Sequence, residues 1–160
     1  MPGEALGRLV GRQTELVRAL IAGGPVPQGL DAGRVVATMM ALRQKRAIAV
    51  ARAWPVLAAV LGDELIDQFV AYAEHRPPAA FGALGDGLLF ACDLARMGDL
   101  PAAARGELLA VSARLADRDG HVVRRTGVFV GGYRRGSPAG LVVLVRLPLL
   151  GVRELRIRLP

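Results

Sequence analysis

The sequence predicts an α+β protein, with a mainly helical N-terminal domain of about six helices followed by a three-stranded antiparallel β tail. Through most of residues 1–120, apolar residues recur at three- and four-residue spacing, as on one face of a helix. Near the C-terminal end they alternate with charged residues, as in a strand. The charge changes at the same place: residues 1–120 hold 13 basic and 13 acidic residues, whereas residues 121–160 hold eight arginines and one acid. We therefore predict a helical domain over 1–120 and a basic β-sheet segment over 121–160.

The first two predicted helices are separated by a segment rich in glycine and proline. Apolar residues from Leu6 to Ile21 are spaced as in an amphipathic helix, and Gly23-Gly24-Pro25 ends it because proline cannot continue a helix. Asp31 is the predicted N-cap of a long second helix, from about residue 32 to residue 53.

Prolines and glycines also delimit the next two predicted helices. Pro55 breaks the second helix and begins a shorter third helix that ends at Gly62. Asp63 is the predicted cap of a fourth helix, which residues 75–78 close with two prolines.

The last two predicted helices follow a glycine-rich turn at residues 82–87. Asp86 is predicted to cap the fifth helix, and Gly98 to end it. The sixth helix is predicted to start near Pro101 and to end around residue 116.

Three strands are predicted after Gly120. The first contains residues 128–130, and residues 134–140 are predicted to form a turn. Residues 141–147 are almost wholly apolar, as expected of a central strand. In the last strand Leu155, Ile157 and Leu159 alternate with charged residues, which predicts that their face is buried and the opposite face is exposed.

The sequence offers no constellation typical of catalysis or of metal binding. The two histidines, His75 and His121, lie in different segments and only one cysteine is present, so no ligand set has the spacing of a metal site. Cys92 lies in a predicted helix and is interpreted as a small core residue. The glycines at 82–87 resemble a phosphate-binding loop only weakly, because no strand precedes them. We therefore predict a protein that is not an enzyme and holds no cofactor.

Arginines of the C-terminal segment are the main candidate site. Ordinary surfaces mix both signs of charge, whereas a surface of one sign attracts acidic partners. The alternative is that these arginines only keep exposed strand edges soluble. The predicted partner-binding residues are Arg124, Arg125, Arg134, Arg135, Arg146, Arg156 and Arg158. A secondary basic cluster, interpreted as a solvated helix face, consists of Arg43, Lys45, Arg46 and Arg52.

Residues 20–115 contain a series of short motifs. In order they are Leu20-Ile21-Ala22-Gly23-Gly24, Lys45-Arg46, Ala53-Trp54-Pro55-Val56-Leu57, Leu61-Gly62-Asp63-Glu64-Leu65, Phe69-Val70-Ala71-Tyr72, His75-Arg76-Pro77-Pro78 and Gly85-Asp86-Gly87. This succession resembles the helical N-terminal domain, named for DNA binding, of bacterial partner proteins of multinuclear non-heme iron-dependent oxidases. The resemblance implies a partner that recruits a ribosomally made precursor peptide for such an oxidase, which holds the metal itself.

Two functions follow as expectations. The first is a cytoplasmic partner protein whose helical domain docks on a modifying enzyme and whose β tail binds an acidic precursor peptide. The second is a nucleic-acid-binding regulator, which the sequence pI near 11.1 favours because phosphate contacts dominate such binding. A homodimer formed by exposed tail strands is a further possibility. A single cysteine, an N-terminus unlike a signal peptide and the lack of a bilayer-spanning apolar run favour the cytoplasm.

Overall fold

A computed structural model describes residues 2–22, 24–135, 140–148 and 151–158. It confirms the α+β fold class: within these residues, six α-helices precede a three-stranded antiparallel sheet. The α-helices are α1 (Pro2–Ala22), α2 (Ala32–Ala53), α3 (Pro55–Leu61), α4 (Glu64–Tyr72), α5 (Gly82–Met97) and α6 (Arg105–Ser112), with a 3-10 turn (Ala102–Ala104) before α6. The strands are β1 (Leu115–Arg118), β2 (His121–Arg124), β3 (Phe129–Arg135), β4 (Gly140–Leu147) and β5 (Gly151–Arg158).

The chain divides into two compact units. Unit 1 consists of residues 1–49 and 63–78, and unit 2 of residues 50–62 and 79–160. The predicted boundary at residue 120 falls within unit 2, in the turn between β1 and β2. The buried apolar residues of unit 1 include Ala19, Val35, Ala47, Leu65, Phe69 and Ala73. Those of unit 2 include Val50, Trp54, Leu57, Leu88, Phe90, Ala91, Leu94, Leu100, Leu115, Val122, Val142 and Leu144.

No helix of the described residues has both the length and the apolar composition needed to cross a bilayer.

The starts of α2, α3 and α4 follow the predicted residues, but the groups that cap them differ. Asp31 is confirmed as a cap, since its Oδ1 accepts the backbone N–H of Arg34 at 3.1 Å. Asp63 precedes α4 as predicted, but its side chain makes no capping hydrogen bond. The start of α3 is capped by the carboxylate of Glu107, which accepts hydrogen bonds from the backbone N–H groups of Val56 and Leu57 at 3.2 and 2.8 Å. A residue about 50 positions away therefore satisfies the first donors of this helix.

The predicted glycine-rich turn is wrong, because α5 begins at Gly82 and includes it. Gly85 and Gly87 allow close contacts within the helix and do not form a turn. A Cβ at Gly85 would collide with the carbonyl oxygen of Ala80, and a Cβ at Gly87 would enter the indole of Trp54. Asp86 is buried within α5 and accepts the N–H of Ala79 at 2.8 Å, so it fastens the chain before the helix rather than serving as the N-cap.

The predicted end of the sixth helix near residue 116 is also wrong. Helix α6 ends at Ser112, and residues 115–124 form a β-hairpin that the sequence interpretation missed. The strands are joined by the two-residue turn Asp119-Gly120, in which both residues have positive φ, 53° and 80°. Asp-Gly is the residue pair that such a turn prefers. The N–H of Gly120 is bound by the carboxylate of Asp117 at 2.8 Å.

The C-terminal sheet has the order β3-β4-β5 and is antiparallel throughout. Strand β3 extends to Arg135, so the predicted turn at residues 134–140 starts too early, and residues 136–139 lie outside the described part of the chain. Val142 and Leu144 are buried on one face, whereas Val130 and Leu155 are 66% and 58% exposed. The register places these exposed residues on the opposite face. The prediction that Leu155 belongs to the buried face of β5 is therefore wrong.

We expect Gly87→Ala to destabilise unit 2 by about 1–3 kcal/mol, because the added methyl group must displace the buried indole of Trp54. Chemical unfolding followed by tryptophan fluorescence measures the change. The matched control is Gly11→Ala, a helical glycine with open space around its Cβ position. There the better helix propensity of alanine should stabilise the helix by about 0.5–1 kcal/mol. Equal stability of Gly87→Ala and the parent chain would contradict the contact.

Candidate functional site

The predicted C-terminal arginines have different environments. Arg124 is exposed at the end of β2. Arg125 is half-buried: its Nε donates to the Ser112 carbonyl at 2.9 Å, and its guanidinium lies 4.8 Å from the centre of the Phe129 ring. Arg146, also half-buried, donates to the Arg125 carbonyl. Two of the predicted residues therefore have structural contacts that fix the chain around Arg125.

Four predicted partner-binding residues have side chains outside the described part of the structure: Arg134, Arg135, Arg156 and Arg158. Their backbone register is described. Positions 135 and 158 both pair with Gly140, and position 156 pairs with Val142, so these three positions share a face of the sheet. Position 134 pairs with Leu141 and belongs to the other face. The backbone thus distributes the arginine positions over both faces.

The secondary basic cluster is split by the structure. Lys45 and Arg52 are exposed, as expected of a solvated helix face. Arg43 donates to the Glu74 carbonyl at 2.7 Å, and its side chain is only 11% exposed. Arg46 donates to the carbonyls of Arg76 and Pro77 at 3.0 and 3.3 Å. The interpretation as a solvated face is therefore wrong for Arg43 and Arg46, which hold the segment that follows α4.

An apolar groove lies in unit 1, with a volume of about 460 Å³. We call it the α1–α2 groove. Its lining residues are Val17, Leu20, Ile21, Leu42, Arg43, Lys45, Arg46, Ala49 and Pro78. Three of these side chains are cationic and none is acidic. The groove combines an apolar floor with positive charge, a combination that suits an amphipathic segment with acidic flanks.

A second cavity, of about 500 Å³, lies in unit 2 among α5, α6 and β3. We call it the α6–β3 pocket. It is lined by Ala95, Gly98, Leu100, Arg105, Leu108, Leu109, Ser112, Arg125, Phe129, Gly132 and Tyr133. Only Arg125 among these was a predicted site residue. No pattern in the sequence connects residues from three separated segments, so the pocket was missed.

The described residues contain no group of three or more histidine, cysteine or acidic side chains that could hold a metal ion. His75 is exposed after α4, and the Nδ1 atom of His121 lies 3.1 Å from the Asp119 carbonyl oxygen. Cys92 is half-buried in α5. Burial raises the pKa of its thiol, the Asp117 carboxylate raises it further, and the Arg96 guanidinium acts in the opposite direction. These effects reduce the thiolate fraction and hence nucleophilicity.

We expect iodoacetamide to alkylate Cys92 slowly near neutral pH, because the raised pKa keeps the thiol protonated. Rates measured by mass spectrometry across a pH series should rise with a midpoint above that of the same thiol in the urea-unfolded chain. A midpoint at or below the unfolded value would indicate an activated thiol and contradict a pKa raised by burial.

Two comparisons with known proteins give a match. The family described as "SCO6045-like, C-terminal domain" matches residues 10–96, more than half of the chain. A "UPF0276 protein" of Streptomyces avermitilis is 41% identical over 70 residues, which are 44% of this chain. The match spans only 14% of that relative's length. No solved structure matches the chain.

Proposed function

The chain belongs to the family of SCO6045-like C-terminal domains, and from this premise we propose that it is a non-catalytic partner of a peptide-modifying enzyme. In this proposal it recruits an acidic precursor peptide and docks on a separate multinuclear iron-dependent oxidase. The resemblance of residues 20–115 to oxidase partner domains supports this class of enzyme. The metal belongs to the oxidase, the chain holds no cofactor, and the complex works in the cytoplasm.

The observation that carries the proposal is the position of the excess charge. The entire net charge of +7 lies in residues 121–160, where eight arginines accompany one acid. This segment contains β3, β4 and β5. A segment with a large excess of positive charge attracts an acidic chain and accelerates its association.

The sheet also supplies the surface that an extended peptide needs. Its outer strands are β3 and β5, so among the described strands each has one edge without a neighbour. A peptide strand can add to such an edge through backbone hydrogen bonds. Arg153 is exposed on β5, beside the exposed apolar side chain of Leu155. Charge therefore supports attraction of an acidic peptide, and the apolar residue supports its retention.

The α1–α2 groove is the proposed enzyme-docking surface. All of its lining residues lie within the segment that matches the family. Leu42 and Ile21 are each 39% exposed beside the cationic side chain of Lys45. We assign this groove to an amphipathic helix of the oxidase that carries acidic residues beside its apolar face.

The similarity to the Streptomyces avermitilis protein supports a modular role. A segment like this one occupies 14% of that chain and is therefore covalently joined to a much longer sequence. Covalent joining raises the effective concentration of one module near another.

We expect the double substitution Arg124→Glu and Arg153→Glu to weaken precursor-peptide binding by about tenfold or more, because both exposed charges change sign. Isothermal titration with a synthetic acidic peptide measures the effect. The matched control is Arg34→Glu, an exposed arginine of α2 in unit 1, which should leave the affinity unchanged. Equal weakening by the control, or no binding by the parent chain, would contradict recruitment through the basic segment 121–160.

We expect Leu42→Asp to abolish capture of the oxidase while leaving peptide affinity unchanged, because it places a carboxylate in the apolar groove. Co-purification with the oxidase measures the effect. The matched control is Val36→Asp, an exposed apolar residue of the same helix that does not line the groove. Normal capture by Leu42→Asp would remove the groove from the proposal.

The alternative function is nucleic-acid binding, which the sequence pI of about 11.1 favours. Mobility shifts with duplex and single-stranded DNA across a salt series distinguish it from peptide recruitment. A strong shift that weakens steeply with salt would favour the alternative.

A further inference from the structure

We infer that the α6–β3 pocket binds a small apolar group that carries a carboxylate. The inference is independent of the proposed partner function. The ligand is either a free medium-chain carboxylic acid or the carboxyl terminus of a peptide that ends in an apolar residue. These two sources share the same chemistry, and the experiment below distinguishes them.

The pocket is open because two of its lining residues are glycines, which have no side chain to fill it. Gly98 ends α5 with φ of 88° and contributes only backbone to the lining, as does Gly132 of β3. Gly106 lets the ring of Tyr133 lie directly on α6, since a Cβ there would stand 2.7 Å from the hydroxyl oxygen. Helix and strand thus meet closely on one side and leave a cavity on the other. Its volume of about 500 Å³ lies within the usual range for small-molecule sites.

The lining is apolar where a hydrocarbon group would lie. Leu100 is buried, and Leu108, Leu109 and Phe129 are half-buried. A hydrocarbon group placed against these four side chains loses contact with water and gains favourable free energy.

Two guanidinium groups give the pocket its preference for an anion. Arg125 is held in place by its Nε–H bond to the Ser112 carbonyl and by the Phe129 ring, which leaves its terminal nitrogens as oriented donors. Arg105 is exposed and lines the opening. No carboxylate of the described residues lies within ion-pair distance of either guanidinium. The lining itself contains no acidic residue.

This arrangement selects a carboxylate over a neutral group. A planar guanidinium can donate two parallel hydrogen bonds to a carboxylate, whereas an alcohol offers a single uncharged oxygen. The Arg125 guanidinium costs little to orient because the protein already holds it. The preferred ligand therefore pairs an apolar body with one carboxylate.

Isothermal titration of the full chain with octanoate and with 1-octanol tests the charge preference. We expect octanoate to bind at least about tenfold more tightly than octanol. Arg105→Gln should reduce octanoate affinity by about tenfold, because this exposed residue contributes charge without supporting the fold. Arg118→Gln, an exposed arginine of unit 2 outside the pocket, should leave it unchanged.

A pocket-filling pair of substitutions tests the location. Ala95→Phe places a ring in the pocket from an exposed helix position, and it should abolish octanoate binding. Ala110→Phe is the matched control, since Ala110 is exposed on α6 and does not line the pocket. Far-ultraviolet circular dichroism of both variants shows that the fold is retained.

The source of the carboxylate is tested by a tetrapeptide ending in leucine, compared with its C-terminal amide. Tighter binding of the peptide than of octanoate, lost in the amide, assigns the pocket to a peptide terminus. Tighter binding of octanoate assigns it to free acids. Equal affinity for octanoate and octanol, undiminished binding by Ala95→Phe, or no binding of either carboxylate at millimolar concentration would overturn the inference.

Discussion

The arrangement of unit 2 depends on the close contact between Trp54 and α5. The buried indole occupies the space that a side chain at position 87 would fill, and its Nε1–H donates to the Leu84 carbonyl at 3.3 Å. The chain enters α3 at Pro55, immediately after this anchor. The first two amides of α3 then donate to the carboxylate of Glu107, so α3 and α6 are joined through two charge-assisted hydrogen bonds.

The position of the sheet follows from α6. Leu109 lies against Gly131 of β3, where a Cβ would collide with it, and Tyr133 lies over Gly106. Helix and strand therefore approach each other through glycine on both sides. The α6–β3 pocket is a consequence of this approach. The close contacts at Gly106 and Gly131 fix the positions of α6 and β3, so the helix and the strand cannot move together to fill the space beside these contacts.

The sequence predicted the parts of the fold that depend on local chemistry. Helical periodicity, Asp31 as a cap and Pro55 as a helix start are local signals, and the strand alternation of the C-terminal segment identified the sheet. The prediction failed where a glycine is required by tertiary contacts. Gly85 and Gly87 resemble turn residues in sequence, but they are glycines because Ala80 and Trp54 leave no room for a Cβ atom. The hairpin at Asp119-Gly120 had a local signal that helical periodicity of the preceding residues obscured.

The candidate sites were less predictable than the fold. Charge counting identified the basic segment, but it could not show that Arg125 and Arg146 bind backbone carbonyls. Alternation in β5 identified two faces, but burial depends on what lies against each face. Leu155 lies on the face opposite to that of the buried residue Val142, and it is exposed. Neither the α1–α2 groove nor the α6–β3 pocket had a sequence signal, because each is formed by residues that only the tertiary structure brings together.

The two hydrogen bonds that Arg46 donates to the loop after α4 have a consequence for variation within this family. Its guanidinium binds two successive carbonyls, of Arg76 and Pro77, in a segment where Pro77 and Pro78 have no N–H with which to form regular structure. Lysine has the same charge but lacks the planar fork that spans two acceptors. Pro78 is one of the residues that line the α1–α2 groove. Arg46 therefore affects the shape of the groove, because it holds the loop that contains Pro78. Relatives with lysine at this position should therefore differ in groove shape even where every apolar lining residue is the same.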